Sequence, residues 1–133
     1  MKLYVPEISD ELRLLENWTF DLYNEDRNST MMEYMGDPRE VVWHKFSAIP
    51  TTILACSILK VDRIYIRKGA KEYSSLSFYL KGQRTQPKMV DHHRTIWAVN
   101  GHKDVVEKVK QPARSVRFWA KLADVNNIVF EPV

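Results

Sequence analysis

The feature that most constrains the fold is the alternation of side chains over residues 76–80. Leu76, Phe78 and Leu80 alternate with Ser77 and Tyr79. Successive side chains of a β-strand point to opposite faces of its sheet, so this pattern predicts a half-buried strand. Its three apolar side chains should face the core, and Tyr79 should face outward.

Several other segments carry strand signals. Alternating or β-branched apolar residues predict strands over 12–14, 18–22, 51–66, 95–99 and 116–122. Asn100-Gly101 predicts a hairpin turn after 95–99, because this pair accepts the positive φ angles of tight turns. The return segment 102–109 fits a bulged strand or one side of a helix.

Helices are predicted to be short. Thr30 and Glu33 have the spacing of a capping box, and Gly36 would end the turn that they begin. Asp37 followed by Pro38 is typical of a second helix start. Together these elements predict an α+β fold, mainly β, with one or two short helices on a small, strongly bent sheet or on an SH3-like or OB-like barrel.

The length of 133 residues fits a single domain over 1–133. Within it, the polar stretch 81–94 has few apolar anchors and is predicted to be a mobile loop. No apolar run reaches the ~20 residues that span a bilayer, and the N-terminus has no signal-peptide layout. We therefore expect no membrane partner.

Cys56 is the only cysteine, which excludes an internal disulfide and favours a reducing compartment, the cytoplasm. It lies in the apolar stretch 53–59, where a thiol is expected to be a small core residue.

Charge is divided unevenly along the chain. Residues 1–40 hold ten acids against four bases, whereas residues 41–133 hold seven acids against sixteen bases. Such a division can steer an anionic partner to one face, or it can be neutralised where the two parts pack together.

Motifs for catalysis are weak. His92 and His93 resemble metal ligands or one half of a two-histidine phosphoesterase signature, but adjacent strand residues point to opposite faces and no second copy of the signature is present. The four scattered glycines form no phosphate-binding loop. We therefore predict no catalytic residue, no metal ligand and no cofactor, and keep a small hydrolase using His92 or His93 as a third hypothesis.

A basic and aromatic set of side chains is more informative. Each member lies on a predicted strand face that combines cations with flat rings, as single-strand and nucleotide binders do. The predicted ligand-binding residues are Arg63, Tyr65, Arg67, Tyr79, Arg117, Trp119 and Lys121. The same residue types form protein interfaces. In a third, purely structural alternative, Trp119 or Tyr65 packs under residues 81–94 as part of a second small core, and the arginines pair with the acidic N-terminal part. The partner is therefore a single-stranded nucleic acid or nucleotide, or else a protein, and a homo-oligomer is compatible with either.

Three segments carry a resemblance to a known group of proteins. They are Val5 to Ile8 leading into Trp18 to Tyr23, then Val61 to Gly69, and then Arg117 to Leu122. Together they resemble short, uncharacterised accessory proteins of tailed bacteriophages. The chain departs from that resemblance at Ser9, where such proteins are expected to have glycine. The resemblance implies a non-enzymatic protein in the host cytoplasm. It would bind a nucleic acid, a signalling nucleotide, or a host enzyme or defence component that it inhibits.

Overall fold

A computed structural model describes residues 7–36, 48–66 and 74–133. The predictions for the helix start at Asp37 and for Arg67 lie outside these residues. The described strands are β1 Glu11–Leu14, β2 Trp18–Tyr23, β3 Ala48–Ile53, β4 Ile58–Tyr65, β5 Ser75–Arg84, β6 Lys88–Ala98, β7 Gly101–Gln111, β8 Ser115–Lys121 and β9 Phe130–Pro132. The helices are α1 Ser29–Met35 and α2 Leu122–Val125, and a 3-10 turn covers Asp26–Asn28.

Five strands form one antiparallel sheet in the order β8-β5-β4-β1-β9. Strands β2 and β3 form a second, two-stranded sheet, and β6 and β7 form a third. The predicted α+β, mainly β class is confirmed. The barrel alternative is wrong, because the described strands form three separate sheets and do not close on themselves.

The core lies between the five-stranded sheet and the β2–β3 ribbon. Leu76, Phe78 and Leu80 are buried as predicted, and Phe118 of β8 is buried beside them. Aromatic rings join the two layers: the ring centroid of Phe20 lies 5.3 Å from that of Phe118, which lies 5.7 Å from that of Phe78. The alternating residues of β2 and β5 therefore meet across one apolar interior.

Helix α1 ends as predicted at Gly36, which has a φ of 72°. Its start differs from the predicted capping box, because no side chain caps its N-terminus. Thr30 instead bonds the edge of β8: its hydroxyl donates to the Arg117 carbonyl oxygen at 3.0 Å, and the Arg117 N–H donates to the same hydroxyl at 2.9 Å. The Asn28 side-chain oxygen accepts the Trp119 N–H at 2.8 Å. The open edge of the sheet is thus covered by side chains.

The predicted loop at 81–94 is wrong. Strand β5 extends to Arg84 and β6 begins at Lys88. Residues 88–111 form a long hairpin, here called the β6–β7 arm, whose two strands pair in one register from Lys88 and Gln111 to Ala98 and Gly101. Most of its side chains are exposed. Its polar composition reflects solvent on both faces rather than irregular backbone. The predicted hairpin near Asn100-Gly101 and the strand alternative for 102–109 are confirmed. The turn geometry differs from the prediction, because Gly101 alone of this pair has a positive φ and it already pairs with Ala98 at the start of β7.

Cys56 is also not where the sequence predicts it. It is exposed, with a φ of 73°, in the turn between β3 and β4. The apolar stretch around it is broken by that turn, so it spans two strands rather than one buried segment. None of the helices in the described parts of the chain is long and apolar enough to cross a membrane.

Candidate functional site

Six of the seven predicted ligand-binding residues lie on the side of the large sheet that faces away from the core. The strand register aligns them in rows across β4, β5 and β8. The rows are Lys60, Tyr79 and Arg117; then Arg63, Ser77 and Trp119; then Tyr65, Ser75 and Lys121. These nine residues are called the outer face below. Arg67 lies outside the described residues.

A β-bulge in β4 puts Arg63 on the outer face. The register shifts between Val61 and Arg63, so that Val61 pairs with Phe78 and Arg63 pairs with Ser77. Asp62 is the additional residue. Without the bulge, Val61 and Arg63 would point to the same side of the sheet, and Arg63 would be directed into the core.

A small cleft forms at the centre of the outer face. Ser77 lies at the middle of the row, between the longer side chains of Arg63 on β4 and Trp119 on β8. The cavity has a volume of about 60 Å³. Its walls are Arg27, Asp62, Arg63, Tyr65, Ser77, Arg117, Phe118 and Trp119. This set is called the arginine cleft.

The guanidinium groups in the arginine cleft differ in how far they are already engaged. Arg27 pairs closely with Glu25, with an Nε to Oε1 distance of 2.6 Å. Within the described residues, the Arg117 guanidinium makes a longer contact, 3.8 Å from its Nη1 to Asp62 Oδ2, and Arg63 donates to the Tyr65 hydroxyl at 3.4 Å. This hydrogen bond, with a smaller contribution from the charge of Asp62, raises the pKa of Arg63. Arg63 and Arg117 are therefore the cations best placed to meet an added anion.

Asp62 is the carboxylate inside the arginine cleft. It accepts a hydrogen bond from the Ser77 hydroxyl at 3.1 Å and faces Arg117. Its negative charge opposes the binding of an anion while it holds Arg117 at the cleft wall.

Trp119 serves mainly as a support. Its ring stacks on Tyr23 with a centroid distance of 5.1 Å and an interplanar angle of 5°, and the Arg27 guanidinium carbon lies 5.2 Å from the Trp119 centroid. Its indole N–H donates to Glu25. The Lys121 ammonium lies 4.9 Å from the Tyr23 ring centroid. The hydrogen bond to Tyr23 raises the pKa of Lys121. The structural alternative predicts Trp119 under residues 81–94, but Trp119 instead packs on Tyr23 of the N-terminal part.

Tyr65 is the most accessible ring of the outer face. Tyr65 is exposed and lines the arginine cleft. Tyr79 is half-buried between Lys60 and Arg117 in its row. Tyr65 is therefore the ring most open to a flat ligand group.

The sequence predictions missed Arg27, Asp62, Ser77 and Lys60. The small Ser75 and Ser77, between large side chains on the neighbouring strands, are a sequence signal that could have predicted a trough. The bulge at Asp62 leaves no such signal in the sequence, because a β-bulge is a local irregularity of strand pairing.

The two histidines are not gathered into a site. On the β6–β7 arm, His92 pairs with Glu107 and His93 pairs with Val106, and both histidines are exposed. Among the described residues, no group of three or more His, Cys, Asp or Glu side chains could hold a metal ion.

A larger cleft also lies apart from the predicted residues. It has a volume of about 570 Å³ and runs between α1 and the β3–β4 turn. None of the seven predicted ligand-binding residues lines it.

Comparison with known proteins adds no relative. No family model, curated protein or solved structure matches the chain. The functional argument therefore depends on the geometry of the outer face.

Proposed function

We propose that this protein is a non-enzymatic binding module that holds an anionic ligand, a single-stranded nucleic acid or a nucleotide, on the outer face. The observation that carries the proposal is the convergence of Arg63, Arg117 and Tyr65 on one small cleft, although they come from two strands far apart in the sequence. A phosphate would lie between the two guanidinium groups. A base would lie on Tyr65 or Tyr79.

The size and polarity of the arginine cleft support a phosphoryl group as the part that is bound deepest. A cavity of about 60 Å³ accommodates a small anion but not a base. Guanidinium groups match phosphate oxygens in charge and in hydrogen-bond geometry. The base would therefore remain at the cleft mouth, so we expect little discrimination between bases.

We further propose that the protein acts in the host cytoplasm as an accessory protein of a tailed bacteriophage, which the three resembling segments support. An inhibitor that contacts a host protein through the same residues draws less support from the geometry. Trp119, its best anchor, is stacked on Tyr23 and bonded to Glu25. Two of its exposed neighbours in the arginine cleft, Arg27 and Arg63, are charged.

The test is a fluorescence-anisotropy titration with a labelled oligothymidylate and with labelled ATP at several salt concentrations. Three or four neutralised phosphates give a log–log salt slope of about −2 to −3 on a single strand. Arg63→Ala combined with Arg117→Ala should weaken binding by at least about tenfold, since each charged hydrogen bond contributes about 1.5–3 kcal/mol.

A matched control removes the same charge elsewhere. Lys103→Ala combined with Lys110→Ala takes two exposed cations from the β6–β7 arm. This control should bind nearly as well as the parent protein. Equal loss in both double variants, or no salt-sensitive binding to either probe, would rule out the proposal. A partner captured from host lysate that survives nuclease and high salt would support the inhibitor instead.

A further inference from the structure

The β6–β7 arm is a two-stranded sheet with both outer edges unpaired within the described residues. Its base is tied to the body of the protein. Glu33 of α1 lies 2.6 Å from Lys88 Nζ and 2.6 Å from Arg114 Nη2, and the Thr85 N–H donates to the Arg114 carbonyl oxygen at 2.8 Å. A hairpin standing alone in water is marginally stable, and its open edges can pair with another strand.

Large apolar side chains are exposed along β6. Trp97 is 79% exposed, Met89 is 57% exposed and Ile96 is 40% exposed. Trp97 and Met89 lie on one face of the arm, and Ile96 lies on the other with Val90. Each solvent-exposed face therefore carries large apolar side chains, and a partner that covers the edge of β6 would reach apolar residues on both faces.

We propose that β6 pairs with β6 of a second copy of this chain, antiparallel and in register about a two-fold axis at His93. Over residues 89–97 of each copy, this register sets Met89 opposite Trp97 and Val90 opposite Ile96. Each of these apolar pairs occurs twice because of the symmetry. The exposed apolar residues of β6 are then matched with one another, and cross-strand apolar pairs of this kind stabilise sheets.

Neighbouring registers do not match. A shift of two residues in one direction sets Arg94 opposite Arg94 and Asp91 opposite Trp97. A shift in the other direction sets Met89 opposite Thr95 and Val90 opposite Arg94. Registers that pair odd-numbered with even-numbered residues would place the odd-numbered side chains of the two copies on opposite faces of the joined sheet. A two-fold axis perpendicular to the sheet does not allow that arrangement.

The edge of β7 is less suited to the same role. Pairing of two β7 strands about Glu107 would match Val105 with Val109, but it would set Glu107 opposite Glu107, and like charges directly opposite each other destabilise a sheet. Pairing about Val106 would match only that valine with itself. It would set Val105 opposite Glu107 and Lys103 opposite Val109, and it would leave Trp97 exposed. We therefore assign the interface to β6.

The area involved sets the strength that we expect. Pairing over nine residues, with the four apolar side chains of each copy partly covered, buries less than the ~1,200 Å² of total surface typical of stable complexes. The dimer should therefore depend on concentration, with a Kd on the order of 10 μM.

Sedimentation velocity over a concentration series tests the proposal. The parent chain should change from monomer to dimer as its concentration rises. Trp97→Lys, which places a charge opposite Met89, should raise the Kd at least about tenfold. Val106→Lys, an equally drastic change on β7, should change it less than about threefold. A circular dichroism spectrum of each variant establishes that the fold is retained.

Cross-linking tests the register independently. In a Cys56→Ser background, His93→Cys should yield a covalent dimer with a short bifunctional maleimide, because the two new thiols would face each other at the axis. Val106→Cys should yield much less. A monomer at every concentration, a dimer unaffected by Trp97→Lys, or stronger cross-linking at position 106 would each overturn the proposal. None of these results depends on ligand binding at the outer face.

Discussion

Replacing Asp62 by asparagine should tighten the binding of an anionic ligand. Asp62 is the carboxylate of the arginine cleft, with its Oδ2 3.8 Å from Arg117 Nη1 and 3.1 Å from the Ser77 hydroxyl. The asparagine side chain would keep a carbonyl oxygen to accept the Ser77 hydrogen bond, and it would remove the negative charge. A gain in affinity is informative because damage to the fold does not produce it.

The magnitude follows from these distances. A phosphate bound to Arg117 would lie about 5 Å from the Asp62 carboxylate, where the repulsion is about 1–2 kcal/mol at an effective dielectric constant of roughly 40–80. At 0.1 M salt the Debye length is about 10 Å, which reduces the repulsion to about 0.5–1 kcal/mol. Asp62→Asn should therefore lower the Kd about twofold to fivefold.

Anisotropy titrations at fixed ionic strength, with thermal melts of each variant, measure this effect. Asp62→Glu is the matched control: it keeps the charge and should bring no gain in affinity. A Kd for Asp62→Asn equal to or above that of the parent protein, with the fold intact, would refute a phosphate position beside Arg117. An equal gain with Asp62→Glu would show that charge is not the cause.

Three further predictions concern stability, each measured by chemical denaturation. The hydrogen bond from Lys88, with a smaller one from Arg114, lowers the pKa of Glu33. The ionised Glu33 side chain therefore stabilises the folded state above the ordinary pKa of a glutamate, and this stabilisation is lost as the pH falls through the pKa of Glu33 in the folded state. Glu33→Gln should therefore cost about 0.5–1 kcal/mol at pH 7 and almost nothing near pH 2, and an equal cost at both pH values would contradict the ion-pair explanation. Thr30→Val removes the hydroxyl that bonds the Arg117 N–H and carbonyl oxygen at the edge of β8, and it should lower the free energy of unfolding by about 1–3 kcal/mol. An unchanged free energy of unfolding would show that water replaces the Thr30 hydroxyl. Ser9 has a φ of 75°, a conformation that favours glycine, so Ser9→Gly should raise the free energy of unfolding by about 0.5 kcal/mol. A lower free energy of unfolding would show that the contacts of the Ser9 side chain outweigh the strain of its backbone.

The inward and outward directions of β5 and β8 were predictable from sequence. Leu76, Phe78 and Phe118 are buried because side chains on a strand alternate with a period of two and one face must cover the core. The same rule assigned Tyr79 and Arg117 to the outer face. These are local properties, so a short segment is enough to predict them.

The polar segment 81–94 shows where local reasoning failed. Its scarcity of apolar residues predicts a loop, yet all of it except residues 85–87 belongs to strands β5 and β6. Apolar residues mark burial rather than strand geometry, and both faces of the β6–β7 arm are in solvent. Its strand character comes from pairing with β7, which the composition of β6 alone does not reveal.

Side-chain periodicity alone establishes which residues of β5 and β8 point away from the core, whereas strand pairing decides which of them meet. Arg63 and Trp119 lie in one row only because β4, β5 and β8 pair in a particular register and because a bulge at Asp62 turns Arg63 outward. Register and bulge depend on contacts between residues far apart along the chain. The arginine cleft is therefore a product of strand pairing, whereas the cationic and aromatic character of its walls was already present in the sequence.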